Sequence, residues 1–276
     1  MNRTKHHRNF RKLLFVSIIT ILTSGIFYKY LTSTECSATN SSVTTTNTTI
    51  THLMEGTKIE YIPASGGEMI RHKYYILSFN DRYKQANWVY YSLKLRATKT
   101  ATERTNNFRA DKMITSGSAK PSDYTKSGYD RGHLCPAGDM TQSSEAMSET
   151  FYMSNISPQL PAFNRGIWKS LEEQVRKWGM REQLYIVTGP VFKKLKGTIG
   201  KNKITVPGFY YKIIYSPAHQ QMIGFLLPNE KSQQPLSDYV VSVDSVENLT
   251  KIDFFPQLPD PIENDLEAYS YYEKWK

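Results

Sequence analysis

Two pairs of β-rich runs, each closed by a turn, commit this chain to antiparallel strand pairing. Tyr74–Phe79 (YYILSF) and Trp88–Leu95 (WVYYSLKL) are built from β-branched and aromatic residues, with the turn signal Asn80-Asp81 between them. Phe209–Tyr215 and Gln221–Leu227 repeat the pattern around Ser216-Pro217-Ala218-His219. Leu184–Thr188 has the unbroken apolar character of a buried strand, expected to stop at Gly189-Pro190. Helical spacing appears between these runs. Ser143–Met153 reads as a helix with Ser143 or Ser144 as its N-cap. In Asn164–Trp178 the residues Trp168, Leu171, Val175 and Trp178 share one face, and Gly179 is expected to end the helix. Leu236–Leu249 carries an apolar stripe of Tyr239, Val240, Val243 and Val246, and Phe254–Pro259 reads as a C-terminal packing segment. The predicted fold class is α+β: a central, largely antiparallel sheet with flanking helices.

The chain of 276 residues divides into three parts. Residues 1–34 open on a basic stretch and continue into the apolar run LLFVSIITILTSGIFY. That order has the shape of an export signal or a short membrane anchor, and it predicts that the body is exported. The protein is then either anchored in a membrane by this segment, or secreted or periplasmic after cleavage. Residues 35–56 are Ser/Thr/Asn-rich and read as a tether. Residues 57–276 form the folded domain, beginning near Ile59. The formal charge is +10, but six basic residues and no acid fall in residues 1–34, leaving a body of only +4. Such a balance permits a nucleic-acid partner without demanding one. Cys36 and Cys135 are the two cysteines; with no Cys-x-x-Cys, a cysteine zinc site is excluded.

The chemistry concentrates in Tyr129-Asp130-Arg131-Gly132-His133-Leu134-Cys135-Pro136-Ala137-Gly138-Asp139-Met140. In an extended chain Arg131 and His133 lie on one face, Asp130 and Gly132 on the other. An arginine beside a histidine suits an anionic substrate: one holds a phosphate and the other moves a proton. The polar stretch 97–128 upstream reads as a long loop that delivers Arg104 and Arg109 to the edge of this site. Downstream come Ser154-Asn155-Ile156-Ser157-Pro158-Gln159 and then Asn164, Trp168 and Glu172.

Taken together, these three strings resemble the sugar-non-specific DNA/RNA endonucleases, the ββα-metal (His-Me finger) family that includes endonuclease G. The resemblance runs from about Ile62 to about Leu266. It implies DNA and RNA as substrates, 5′-phosphate and 3′-hydroxyl products, and His133 as general base. It places Arg131 and Asn155 near the scissile phosphate, and loosely matches Arg104 or Arg109 to a further phosphate-binding arginine. Asn164 is the candidate metal ligand, since an amide oxygen suits a hard cation such as Mg2+, with Mn2+ as an alternative. Glu172 would sit ~12 Å further along a continuous helix and ~80° around it, and so reach the ion only through water. Two other readings stay open: a non-catalytic nucleic-acid-binding module, and a phosphodiesterase acting on another exported substrate. The sequence leaves a homodimer open.

Overall fold

A computed structural model describes residues 61–64, 66–95 and 102–276. The leader, the tether and the start of the domain near Ile59 lie outside the described residues. The strands are β1 (Glu68–Arg71), β2 (Ile76–Asn80), β3 (Gln85–Leu93), β4 (Asp130–His133), β5 (Ile156–Gln159), β6 (Leu184–Val191), β7 (Thr198–Ile199), β8 (Ile204–Thr205), β9 (Phe209–Ser216), β10 (Gln221–Pro228) and β11 (Val240–Val241). The principal helices are α1 (Ser144–Glu149), α2 (Lys169–Arg181), α3 (Val243–Thr250) and α4 (Asp260–Ala268).

A seven-stranded sheet in the order β1-β2-β3-β6-β9-β10-β11 forms the centre, and every neighbouring pair in it is antiparallel. The α+β architecture expected from the hairpins is therefore the one observed. Alternation along β9 gives the sheet two apolar faces. Tyr210 and Ile214 join a cluster with Trp168, Leu171, Val175 and Trp178 of the α2 segment. Tyr211, Ile213 and Tyr215 join Val243, Val246, Phe254, Phe255 and Leu266 on the other side. The helix of the proposed site thus covers one face, and α3 and α4 cover the other.

Several boundaries differ from the sequence reading, each for a physical reason. β6 does not stop at Gly189-Pro190 but runs to Val191. It has left β3 by then, and β9 alone pairs with its last residues, so a proline without an N–H costs no ladder bond on the open side. Gly179 does not end α2, which continues to Arg181. The glycine serves a close approach instead: a Cβ there would lie 2.8 Å from Leu93 Cδ2 of β3. The expected helix Ser143–Met153 is only α1, capped by Ser143, whose side chain accepts from the Ala146 N–H. The stretch Leu236–Leu249 splits into a 3-10 turn, the edge strand β11, and α3, which Ser242 caps. Ser242 is a better cap than helix interior, and Val240 and Val241 gain partners in β10. α4 was not anticipated from the sequence; its acidic face hides the periodicity of Ile262 and Leu266.

The loop that follows residue 101 is braced by buried polar contacts. Asp111 Oδ2 accepts from Ser154 Oγ and pairs with His72 Nε2 at 2.9 Å. The Arg109 and Tyr152 backbones meet in an isolated parallel bridge. This bracing carries the segment from 102 onward past the β4–β5 hairpin.

Candidate active site

β4 and β5 form a separate antiparallel hairpin in which Arg131 faces Pro158 and His133 faces Ile156. The hairpin is bolted to the main sheet through β5. Tyr210 Oη lies 2.6 Å from Ser157 Oγ and donates to the Pro158 carbonyl at 2.8 Å, and Asn229 Nδ2 donates to the same carbonyl at 3.1 Å. Gly132 faces away from the cleft onto the buried Gln159, where a Cβ would lie 2.2 Å from Oε1. The alternation expected of Arg-Gly-His is therefore real, and the glycine is required by the partner strand.

Arg131 and His133 open onto a cleft of about 560 Å³, lined also by Arg104, Asn164, Arg165, Lys169, Glu172 and Arg176. Five of these side chains are cationic and one is acidic, which suits a polyanionic backbone. The modest charge of the body is thus concentrated where a phosphate would enter.

The His133 imidazole is buried, with the Phe151 ring edge-on at 4.9 Å and Phe108 at 5.5 Å. Nε2 has no hydrogen-bond partner among the described residues. Burial, helped by the nearby charge of Arg104, lowers its pKa to about 3. The ring is therefore neutral at physiological pH, the form in which a ring nitrogen can take up a proton. Arg131 donates from Nη2 to the Pro121 carbonyl at 3.0 Å and lies over Phe108 at 5.2 Å.

Asn164 and Glu172 reach the cleft on a segment that is not one continuous helix. Asn164–Trp168 forms a π turn in which Gly166 adopts φ −105°, ψ −113°, and α2 starts only at Lys169. The axial separation derived for an unbroken helix therefore does not apply, although both side chains do line the same cleft. Asn164 Nδ2 donates to Asp130 Oδ2 at 2.9 Å. Asp130 is in turn gripped by Arg165 at 2.8 and 2.6 Å. Burial opposes charge on Asp130, but the hydrogen bonds from Arg165 and Asn164 win and hold its pKa below the ordinary value. With the amide nitrogen committed to a carboxylate, Oδ1 is the atom left for a cation. An oxygen donor fixed in this way fits a hard divalent ion.

Two of the expected site residues lie away from the cleft lining. Asn155 is fully buried and does not line the cleft. Its Oδ1 accepts from the Cys135 N–H at 2.8 Å, and its Nδ2 donates to the carbonyls of Cys135 and Thr150 at 2.9 and 2.8 Å. The amide is spent on tying the turn after β4 to the end of α1. Arg109 is also elsewhere: it stacks over Tyr152 at 3.9 Å and donates to the carbonyls of Asn107 and Ser148. Of the two upstream arginines, Arg104 is the one that lines the cleft, 4.9 Å over the Phe151 ring.

The sequence reading missed the floor of the site. Lys212 of β9 is fully buried, 5.0 Å over Trp168 and 5.8 Å over Tyr91, with no hydrogen-bond partner for Nζ among the described residues. Asp139 pairs with Arg176 at 3.0 Å and accepts from Tyr91 Oη at 2.9 Å. Burial raises the Glu172 pKa while the charge of Lys212 opposes it, and burial lowers that of Lys212 while Glu172 opposes it. A lysine inside the apolar run FYYKIIYS is the one signal that pointed here. Cys135, beside these groups, is a fully buried free thiol.

A sheet-anchored hairpin that presents arginine and histidine to the start of a helix bearing an amide and a carboxylate defines a nuclease of the ββα-metal class. The comparisons carry this to the family: the description DNA/RNA non-specific endonuclease matches residues 55–261, and the chain belongs to that family and is an endonuclease. It is 37% identical to a nuclease of Nostoc sp. over 70% of this chain and 75% of that one. It is 33% identical to nuclease C1 of Cunninghamella echinulata, covering 71% and 86% of the two chains. Human mitochondrial endonuclease G is 31% identical over 67% and 68%. Among solved structures, a chain of the EndoG/EndoGI complex superposes with a TM-score of 0.65 at 31% identity, covering 70% of this chain and 88% of that chain.

Proposed function

We propose that this chain hydrolyses phosphodiester bonds in both DNA and RNA, with His133 as general base and one divalent cation, Mg2+ or Mn2+, held by Asn164. The observation that carries the reading is the neutral, buried His133, its Nε2 unpartnered among the described residues, in a cleft with five cationic side chains. When bound, the cation supplies Lewis acidity to the phosphate and to the 3′ leaving oxygen. The remaining work falls to the protein. Arg131 and Arg104 hold the phosphate and take up its added negative charge. His133 accepts the proton of the attacking water. Asp130 fixes the Asn164 amide, and Glu172 would help to hold the cation through water. Water as nucleophile makes the 2′-hydroxyl dispensable, so both nucleic acids are substrates, cut to 5′-phosphate ends. The basic-then-apolar order of residues 1–34 supports export, by anchor or cleaved signal. Among the described residues no helix is long and apolar enough to cross a membrane.

Plasmid DNA and a structured RNA, incubated with Mg2+ at neutral pH and with chelator, test the reading. Cleavage of both supports it, binding without cleavage means a non-catalytic module, and the absence of both binding and cleavage points to a phosphodiesterase acting on another exported substrate. His133→Ala is expected to retain binding and lose turnover by ~10²–10⁴-fold. Asn164→Ala should raise the Mg2+ requirement and recover part of the rate as the ion is added, with Glu172→Ala shifting that requirement less. The reverse order in a metal titration would exchange the two roles.

A further inference from the structure

On the sheet face opposite α2, two helices bring carboxylates together, and among the described residues none of them is in an ion pair with a cation. Asp244 and Glu247 stand one turn apart on α3, and Glu263 and Glu267 one turn apart on α4. Oxygens of Asp244, Glu247 and Glu267 all lie within 4.8 Å of one another. Glu267 is only 5% exposed, and its Oε1 has no hydrogen-bond partner among the described residues. Glu263 Oε1 is likewise buried and unpartnered. Glu247 spends one oxygen on the Phe254 N–H at 2.7 Å, which fixes the carboxylate and leaves the second oxygen free. The charged groups acting on Glu267 are Glu247, Glu263, Asp244 and Asp253, and those acting on Glu263 are Asp253, Glu247 and Asp260. Every one of them is an acid.

Buried like charges at this spacing oppose folding unless a proton or a cation joins them. Several features favour the cation. The donor set is entirely oxygen, which selects a hard ion. Oxygens up to 4.8 Å apart can flank a single ion whose bonds are about 2.3–2.6 Å, the range of Ca2+. Mg2+ demands near-ideal octahedral geometry and keeps most of its waters, so three converging carboxylates from two helices suit it poorly. Asp244 is exposed, which provides an entry path to the buried Glu267. We propose that Asp244, Glu247 and Glu267, with Glu263 beside them, bind Ca2+ and thereby clamp α3 to α4, at a site separate from the catalytic cleft.

The test uses the full chain stripped with EDTA and titrated with Ca2+ over about 0.1–10 mM, following thermal unfolding and equilibrium dialysis. The Asn164→Ala variant removes the catalytic ligand and leaves this site intact. It is expected to bind one Ca2+ and gain about 3–6 °C in Tm at tenfold Kd. Glu267→Gln keeps the shape and removes the charge. It should raise the Tm in EDTA above that of the parent and abolish the Ca2+ increment, so the two titration curves cross. Asp244→Asn, at an exposed position, should weaken binding at least tenfold without affecting folding. An Asn164→Ala protein whose Tm ignores Ca2+, or an increment that survives both Glu267→Gln and Asp244→Asn, overturns the proposal. Nuclease activity does not enter the readout, so this outcome is independent of the reading of the cleft.

Discussion

His133 shows how a single side chain can tie catalysis to stability. Its pKa is lowered to about 3 in the fold, by burial first and by Arg104 second. In the unfolded chain the same imidazole protonates near ~6.5. Below that pH the unfolded state binds a proton that the folded state refuses, so stability falls as pH drops from about 6.5 toward 3, by up to ~5 kcal/mol. His133→Leu, which cannot titrate, is expected to flatten this slope; urea midpoints at pH 7, 6, 5 and 4 for the two proteins give the measurement. An equal slope in both would place the acid sensitivity elsewhere. At this scale the sequence was readable where the chemistry is local. Arg131, Gly132 and His133 sit in one short string, and strand alternation alone orients them. Asn155 and Arg109 were misplaced because burial and ring stacking, which spacing does not report, spend their polar groups internally. Lys212 escaped because it approaches Glu172 and Asp139 only after β9 has joined the sheet, and Arg176 because its partner Asp139 lies far upstream in the turn after β4.

The elements that carry the site are held by close approaches. Gly132 is the sharpest: its neighbour Gln159 is fully buried, and a Cβ would fall 2.2 Å from Oε1. Gly132→Ala must therefore displace the buried Gln159 side chain, and where the packed interior holds that side chain in place the strain passes to β4 and to the aim of Arg131 and His133. The expected cost is about 1–3 kcal/mol of stability, with a loss of kcat that exceeds the change in substrate binding. Chemical denaturation and single-turnover kinetics would measure it, and unchanged kcat would mean that the hairpin accommodates the methyl. The same kind of contact explains why some boundaries were misread. Gly179 and Gly189 look like stops in a linear sequence, but each is a contact with β3: Leu93 in one instance, the Asn87 carbonyl in the other. The π turn at Asn164–Trp168 left no separate signal, because the apolar spacing of Trp168, Leu171, Val175 and Trp178 continues into α2 and masks it.

Viewed as a whole molecule, the body carries a charge of about +4 yet gathers five cationic side chains around one cleft, so local arrangement governs attraction to nucleic acid more than net charge does. A chain beginning near His52, which lacks the basic-apolar leader, is expected to fold and to cut plasmid at a rate within about twofold of the full chain. If it folds and fails to cut, residues before 52 belong to the catalytic body. The sheet order β1-β2-β3-β6-β9-β10-β11 has a further bearing on when the enzyme becomes competent. Every side chain proposed for catalysis is already in the chain by Glu172, but the lysine under the cleft and the tyrosine that bolts the hairpin arrive later, on β9. A ribosome working from the N-terminus therefore completes the cutting residues well before it completes their seat. The emerging polypeptide is therefore expected to hold its β4–β5 hairpin unanchored until β9 has joined the sheet.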